Sequence, residues 1–158
     1  MKSLMPAAAV ALMLAAASCG GKHETARTIS GLDPDAFSDT RDGKSVALYT
    51  LTNNNGMEVC VTNFGGRIVS LTVPGRDGQP RDVVLGFDSI QAYYPENNQT
   101  DFGAAIGRYA NRIDHGHLPL VGDTIQLPVN NFGHTLHGGP EGWQYKVYDV
   151  VSSTDSTL

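Results

Sequence analysis

Residues 46–62 have the sequence VALYTLTNNNGMEVCVT, and this stretch decides the fold. β-branched, aromatic and aliphatic residues dominate positions 46–51, which is typical of a strand. The polar segment 53–56 then predicts a turn, because Asn and Gly tolerate the backbone conformations that turns require. Apolar and polar residues alternate again over 57–62, the period expected of a half-buried strand. The stretch therefore predicts two strands joined by a turn.

Strand signals and turn signals keep alternating towards the C-terminus. The 18 Gly and 8 Pro indicate many turns and few long helices. Strands at intervals of about ten residues predict an all-β fold, arranged as an antiparallel sandwich or barrel. Besides one short helical turn at 89–94, the pattern predicts further strands at 67–73, 82–87, 118–121, 125–129 and 145–151. Gly122-Asp123 lies between the strands at 118–121 and 125–129 and predicts that they form a hairpin.

Length and composition exclude several classes of protein. A chain of 158 residues with 41% hydrophobic and 17% charged residues suits a globular protein of one domain, or two at most. A net charge of -5 argues against a nucleic-acid partner, which would require a basic face. Two Cys cannot build a disulfide framework or a Cys-rich zinc site. Cys60 lies in an apolar run and is predicted to be a small buried residue.

The N-terminus has the layout of an export signal. A positively charged start precedes an uncharged, mostly apolar run over 4–18, which is shorter than the roughly 20 residues that span a bilayer as a helix. Ala16-Ala17-Ser18 before Cys19 resembles a bacterial lipobox. We predict a signal peptide over 1–18, then a lipidated Cys19 and a flexible tether over 19–30. The protein would then be exported, as a membrane-anchored lipoprotein or in the periplasm, with a membrane contact through the lipid alone. A buried helix is the alternative.

The segment 102–113, FGAAIGRYANRI, departs from the strand pattern. Arg108, Asn111 and Arg112 follow a run of small residues that lets the backbone approach a ligand closely. The guanidinium fork and the amide offer donors and an acceptor that suit vicinal hydroxyl groups. The alternative is that both Arg form structural ion pairs with carboxylates such as Asp101 or Asp114.

The segment 130–139, NNFGHTLHGG, is the second departure. It carries His134 and His137, and histidine is the residue type that supplies a titratable nitrogen near neutral pH. A structural role for either His remains an alternative. A metal site would require a further ligand, for which His115 and His117 are the other candidates. We assign no metal site.

Five motifs occur in order and at matching spacing: TNFGG at 62–66, VP at 73–74, DVVLGFD at 82–88, GRYANRI at 107–113 and LHGG at 136–139. Together they resemble the aldose 1-epimerase (galactose mutarotase) family from about residue 48 to residue 151. The departures are small: Gly66 stands where Ala is common, Trp143 where Phe is usual, and Tyr148 where Trp is common. None of them removes a polar group from the site that the resemblance implies.

The resemblance implies an antiparallel β-sandwich, the galactose mutarotase-like supersandwich, with a sugar cleft on one face. Residues 31–158 would be its N-terminal part. Members of the family interconvert the α and β anomers of hexoses such as galactose and glucose by acid/base ring opening and closure. They require neither a metal nor an organic cofactor, so the expected partner is a free hexose.

Carried over by motif, Asn111 and Arg112 bind sugar hydroxyls. His137 lies beside the ring oxygen and the anomeric centre, as a catalytic and substrate-binding residue, and Arg108 has a supporting role. In the family the general acid His, a sugar-binding Asp and the general base Glu lie downstream of the matched region. We therefore expect this chain to be a truncated form that is inactive alone. The alternative is a non-catalytic carbohydrate-binding module or a pseudogene product.

Overall fold

The computed structural model describes residues 26–158, so the predicted signal peptide and Cys19 lie outside the described residues. Short 3₁₀ helices cover Pro34–Phe37, Ile90–Tyr93, Asp114–Gly116 and Trp143–Tyr145. None of the helices in this range has the length and apolar character that crossing a bilayer requires. The strands are β1 (Asp39–Arg41), β2 (Lys44–Val46), β3 (Leu48–Thr52), β4 (Glu58–Thr62), β5 (Arg67–Pro74), β6 (Pro80–Asp82), β7 (Arg112–Ile113), β8 (His117–Leu120), β9 (Asp123–Gln126) and β10 (Thr135–Leu136).

The sheets of the described residues are antiparallel throughout. The largest has the order β3-β4-β5-β6, and three pairs accompany it: β1-β2, β7-β10 and β8-β9. The β3–β4 hairpin runs from Leu48↔Thr62 to Thr52↔Glu58. Its turn falls on the Asn-rich segment, where the Asn53 side chain accepts backbone N–H groups at 2.9 and 3.0 Å. The predicted antiparallel all-β class is confirmed.

The β4 strand buries its polar side. Glu58, Cys60 and Thr62 are at most 4% exposed, whereas the valines between them are only half-buried. The Glu58 carboxylate accepts a hydrogen bond from the backbone N–H of Ile29 at 2.7 Å. This bond offsets part of the cost of burying a charged group. Residues at the end of the predicted tether therefore already contact the sheet, although the boundary at residue 31 stays a prediction. Cys60 is buried as predicted, and this burial raises the pKa of its thiol.

Three further predicted elements are confirmed. The predicted strand 67–73 corresponds to β5. The helical turn predicted at 89–94 is the 3₁₀ helix Ile90–Tyr93. The hairpin predicted around Gly122 is formed by β8 and β9, which pair Leu120 with Asp123. Its two turn residues are thus Val121 and Gly122, one position earlier than the expected Gly122-Asp123. The φ of +85° at Gly122 is one that a glycine adopts without strain.

The strand predicted at 82–87 is wrong beyond Asp82, which is the last residue of β6. The Val83 backbone N–H still donates to the Leu71 carbonyl at 3.0 Å, but residues 83–87 belong to no strand and Leu85 is 75% exposed. The Asp82 carboxylate accepts the backbone N–H groups of Leu71 and Val84, each at 3.0 Å. A side chain that bonds the backbone locally competes with the ladder and ends the strand here.

The strand predicted at 145–151 is also wrong, because the structure forms only one bridge there, between Phe64 and Val147. The carbonyl of the next residue, Tyr148, accepts the Asn63 side-chain amide at 3.0 Å instead of a strand partner. The preceding residues form the 3₁₀ helix Trp143–Tyr145. The Tyr148 backbone N–H still donates to the Asn63 carbonyl at 2.9 Å, but no strand of the described residues pairs with the chain beyond Tyr148.

Aromatic residues dominate the core, which lies between the main sheet and the 3₁₀ helices. Phe64 packs edge-on against Tyr94 at a centroid distance of 5.0 Å. Tyr93 packs edge-on against Phe87 at 5.1 Å, and its hydroxyl accepts the Phe87 N–H at 2.7 Å. The buried apolar residues are Phe37, Val46, Cys60, Phe64, Val69, Ile90, Tyr93, Tyr94 and Val147.

Arg67, at the start of β5, is fully buried beneath this core. Its guanidinium donates to the carbonyls of Thr100 at 3.2 Å and Phe102 at 3.1 Å through one nitrogen, and to that of Gln144 at 3.1 Å through another. Burial lowers the pKa of Arg67 from its usual value, while the nearby Asp101 carboxylate opposes that change. Three segments distant in sequence therefore meet on one side chain.

Candidate active site

The smallest sheet brings the predicted site residues together. β7 and β10 pair Arg112 with Leu136 and Ile113 with Thr135. Asn111 directly precedes β7 and His137 directly follows β10, so the two residues lie side by side although 26 positions separate them. The structure thus places Asn111, Arg112 and His137 at one end of a two-stranded ladder.

Two hydrogen bonds in opposite directions join Asn111 and His137, and we call this arrangement the Asn111–His137 clasp. The backbone N–H of His137 donates to the Asn111 carbonyl at 3.0 Å, and the backbone N–H of Asn111 donates to the ring nitrogen Nδ1 of His137 at 3.0 Å. A neutral imidazole has one acceptor nitrogen and one donor nitrogen. Because Nδ1 accepts, the ring hydrogen lies on Nε2. His137 therefore presents an N–H donor to any ligand that approaches Nε2.

Both residues of the clasp have left-handed backbone conformations. The φ angles are +62° at Asn111 and +51° at His137. A non-glycine residue in this region costs roughly 1–3 kcal/mol and persists only where its surroundings hold it. Such residues are concentrated at active sites and ligand clamps. The backbone geometry thus agrees with the motif in marking these two positions.

Arg112 is exposed, and a neighbouring amide orients it. Its Nε and Nη2 donate to Asn131 Oδ1 at 3.1 and 2.8 Å, so two of its five N–H donors point at one acceptor. Within residues 26–158, neither Arg112 nor Arg108 makes an ion pair with Asp101 or Asp114. The guanidinium plane is held by a neutral partner, which leaves its charge available to a ligand.

Arg108 lies at the edge of this group, consistent with the supporting role expected of it. Its Cζ lies 6.0 Å from the centroid of the Trp143 ring, and the backbone N–H of Trp143 donates to the Gly107 carbonyl at 3.2 Å. Gly138 packs so closely on Gly107 that a Cβ at Gly138 would overlap the Gly107 carbonyl oxygen. This contact requires a glycine in the LHGG motif.

A cavity of about 430 Å³ opens beside the clasp rather than at it. Ile113 lines the cavity, and neighbouring strand residues point to opposite faces, so Arg112 projects away from it. Trp143 and Tyr109 form aromatic parts of the wall, with Arg108 and Glu141 at polar positions. The side chains of Asn111, Arg112 and His137 are not part of this lining.

One group of side chains in the described part of the chain has the spacing of a metal-binding cluster. Donor atoms of Asp114, His115 and His134 lie within 4.8 Å of one another. The His134 Nδ1 already accepts the His115 backbone N–H at 3.1 Å and lies 3.2 Å from the Asp114 carboxylate. The lone pair of His134 Nδ1 therefore already accepts a hydrogen bond. These contacts favour a structural, hydrogen-bonded role for the three side chains.

Sequence reasoning missed three residues that position the site. Asn131 orients Arg112, Asn130 bonds both the N–H and the carbonyl of Leu136 at 2.7 and 3.1 Å, and Gln144 donates to the His137 carbonyl at 3.0 Å. The Asn pair carries a signal, since Asn commonly bonds nearby backbone. Gln144 carries none, because nothing in its neighbourhood in the sequence indicates that it contacts His137.

Comparison with known proteins places this chain in one family. Residues 47–158 match the family described as Aldose 1-epimerase, and the chain belongs to that family. The aldose 1-epimerase of Escherichia coli (strain K12) is 37% identical over 114 residues, 72% of this chain and 32% of the relative. The galactose mutarotase of Bos taurus is 41% identical over 107 residues, 68% of this chain and 31% of the relative.

Solved structures agree on the fold. The GalM/aldose epimerase homologue from C. elegans superposes with a TM-score of 0.64 at 34% identity, over 70% of this chain and 33% of that chain. Galactose 1-epimerase from Lactobacillus acidophilus NCFM gives a TM-score of 0.60 at 29% identity, over 70% of this chain and 31% of that chain. The chain spans about a third of the length of the curated relatives it matches.

Proposed function

We propose that this chain supplies one side of the sugar site of an aldose 1-epimerase whose substrate is a free hexose such as galactose or glucose. The Asn111–His137 clasp beside Arg112 carries the proposal. It brings together the three residues that the family motifs assign to the sugar, in a chain that belongs to the family.

In the proposed reaction a base removes the proton of the anomeric hydroxyl while an acid protonates the ring oxygen. The C1–O5 bond breaks to give the open aldehyde, the C1–C2 bond rotates, and the reverse steps close the ring as the other anomer. No atom is gained or lost. Proton transfers of this kind require groups within hydrogen-bond reach and with suitable proton affinity.

The roles proposed for the residues of the site come from the family resemblance. The Nε2–H of His137 donates to the oxygen at which charge develops, since Nδ1 is engaged by Asn111. Arg112 and the Asn111 side chain bind hydroxyl groups in both the ground state and the transition state. The general acid and base of the family lie downstream of the motifs in this chain, so the full reaction rests on the part of the fold that these residues do not span.

The complete gene product is the polypeptide encoded by the whole reading frame that contains this chain. Measuring its mutarotation activity tests the proposal. Polarimetry of freshly dissolved α-glucose or α-galactose should show interconversion faster than in buffer. His137→Ala should lower kcat on the order of a hundredfold, about 3 kcal/mol, because it removes a donor used in the transition state. Arg112→Ala should mainly raise KM, because its contacts are made in both states.

His134→Ala is the matched control, since His134 lies three residues from His137 but outside the clasp. It should keep kcat within about twofold. A complete gene product that binds hexose without accelerating mutarotation would instead support the carbohydrate-binding module. A crippled His134→Ala beside an unimpaired His137→Ala would refute the assignment of the site.

We also propose that the protein is exported and lipidated at Cys19, from the charged start, apolar run and lipobox-like end of residues 1–18. Metabolic labelling with a fatty-acid analogue should mark the wild type and leave Cys19→Ala unlabelled. Equal labelling of the two proteins would defeat this proposal.

A further inference from the structure

The buried side-chain amide of Gln144 is hydrogen-bonded to the backbone of His137. Gln144 is 1% exposed, and its Nε2 donates to the His137 carbonyl at 3.0 Å. The same His137 donates its N–H to Asn111 and accepts the Asn111 N–H on its ring. The His137 N–H, carbonyl and ring are thus each hydrogen-bonded, and Gln144 provides the contact to the carbonyl.

This contact acts on a strained residue. His137 has a φ of +51°, which a residue with a Cβ adopts only when its neighbours impose it. A hydrogen bond to the carbonyl fixes the orientation of the peptide plane that follows the strained φ. The direction in which the imidazole leaves the backbone therefore depends on the Gln144 donor.

Gln144 is fixed in turn by the main sheet. Arg67 in β5 is fully buried and donates through Nη2 to the Gln144 carbonyl at 3.1 Å. A continuous chain of hydrogen bonds then runs from β5 through Gln144 to His137. This chain connects the rigid core with the exposed loop that carries the site.

Stability alone does not explain the buried amide. The Gln144 Oε1 is buried and has no hydrogen-bond partner within the described residues. A buried polar atom without a partner destabilises the fold, whereas an apolar side chain of similar shape would avoid that cost. The arrangement is thus best explained by what the Gln144 nitrogen does at His137.

We propose that Gln144 is a positioning residue: it holds His137 in its left-handed conformation with Nε2–H directed at the substrate, and Arg67 anchors it to the sheet. This inference rests on the proposed function, and it deepens that function by adding a residue that acts through His137 without touching the sugar.

The test replaces the amide by an apolar side chain of similar length in the complete gene product. Gln144→Met should lower kcat about tenfold and leave KM within about twofold, since His137 loses its alignment while Asn111 and Arg112 keep the hydroxyl contacts. The midpoint of urea unfolding should change little, because the unpaired Oε1 is removed as well. Gln126→Met is the matched control: Gln126 also donates through Nε2 to backbone carbonyls, those of His115 and Leu127, but not to His137.

A spectroscopic readout separates this inference from the proposed function. In ¹⁵N correlation spectra of the imidazole rings, the wild type should show His137 Nδ1 as the acceptor nitrogen and Nε2 as the protonated one. Gln144→Met should shift these signals towards an average of the two tautomers, and Gln126→Met should not. Should Gln144→Met not fold, Gln144→Asn takes its place, since its shorter amide no longer reaches the His137 carbonyl.

Wild-type ring signals together with wild-type kcat in the Gln144 variant would overturn the inference while mutarotation stood. A kcat loss matched by Gln126→Met would overturn it too. If Gln144→Met alters the His137 ring signals but the protein without the substitution shows no mutarotation, the positioning role is supported and the proposed reaction is refuted.

Discussion

The main sheet and the loops that carry the site are stabilised in different ways. Next to the sheet, Phe64 in the turn between β4 and β5 and its aromatic neighbours are almost completely buried, and regular backbone ladders connect the strands. Around the site, strands have two residues, and Asn111 and Arg112 are exposed. Side chains bond to backbone there in place of a ladder, as Asn130 does at Leu136.

Backbone strain follows the same division. Five non-glycine residues in the described range have a positive φ, and four of them lie between 111 and 137: Asn111, His115, Phe132 and His137. The comparison teaches that burial stabilises the sheet by enough to hold an irregular loop in a geometry the loop would not adopt by itself. Changes to the sheet should therefore affect stability, and changes to the loop should affect geometry.

The largest expected effect is loss of the core aromatic in Phe64→Ala. Phe64 is 0% exposed and packs against Tyr94, so its removal leaves a cavity and should lower the free energy of unfolding by about 4 kcal/mol. Urea denaturation followed by circular dichroism measures this. Phe132→Ala, at a site that is 91% exposed, should change the free energy of unfolding by less than about 0.5 kcal/mol. Equal losses for the two variants would remove the distinction between sheet and loop.

A smaller effect of opposite sign is expected at the same exposed position. Phe132 has a φ of +47°, and glycine adopts such a conformation without the Cβ penalty. Phe132→Gly should therefore raise the free energy of unfolding by about 1 kcal/mol relative to Phe132→Ala, which keeps the strain. The two variants are compared in parallel urea titrations. A Gly variant less stable than the Ala variant would contradict the strain assigned to the loop.

The smallest effect concerns the acid sensitivity of the sheet region. Hydrogen bonds from the Thr40 N–H, and then from the Tyr94 hydroxyl, hold the pKa of Asp39 below its usual value. A carboxyl with a lowered folded-state pKa adds stability above its unfolded pKa of about 3.9, and that stability is lost as the pH falls through the folded value. Asp39→Asn should therefore be less stable than the wild type near pH 7.

The difference between Asp39→Asn and the wild type should shrink as the pH falls below about 4, and it should be lost below the lowered folded-state pKa, where the carboxyl is protonated in both states. Glu96 and Asp77 also have lowered pKa values, so the wild type as a whole should still lose stability in acid. A stability difference that stayed constant from pH 7 to pH 2.5 would show that the Asp39 charge is irrelevant.

Local chemistry made the main strands predictable. The Asn-rich turn between β3 and β4 and the Gly122 hairpin both appear at or within one residue of their expected positions. The strands expected at 82–87 and 145–151 failed because strand formation requires a partner. Side chains of Asp82 and Asn63 occupy the hydrogen bonds that a partner would have made.

The sequence named candidate residues for the site but not the residues that support them. The motifs singled out Asn111, Arg112 and His137, and the structure places the three together. For Arg108 and Arg112 the sequence left structural ion pairs open as an alternative to ligand binding, whereas the fully buried arginine of the described residues is Arg67. Its partners are carbonyls spread from residue 100 to residue 144, and contacts at such separations leave no local pattern.

Because the clasp holds Asn111 and His137 next to each other, the geometry of the site does not depend on the length of the chain between them. The β7–β10 pair and the clasp close the segment 111–137 at its base, while the β8–β9 hairpin projects from it with Val121 fully exposed at the tip. Loop closure depends only weakly on length, about 0.6 kcal/mol for each doubling. Evolution or an engineer can therefore lengthen this tip, or graft a peptide into it, while Asn111 and His137 keep their places.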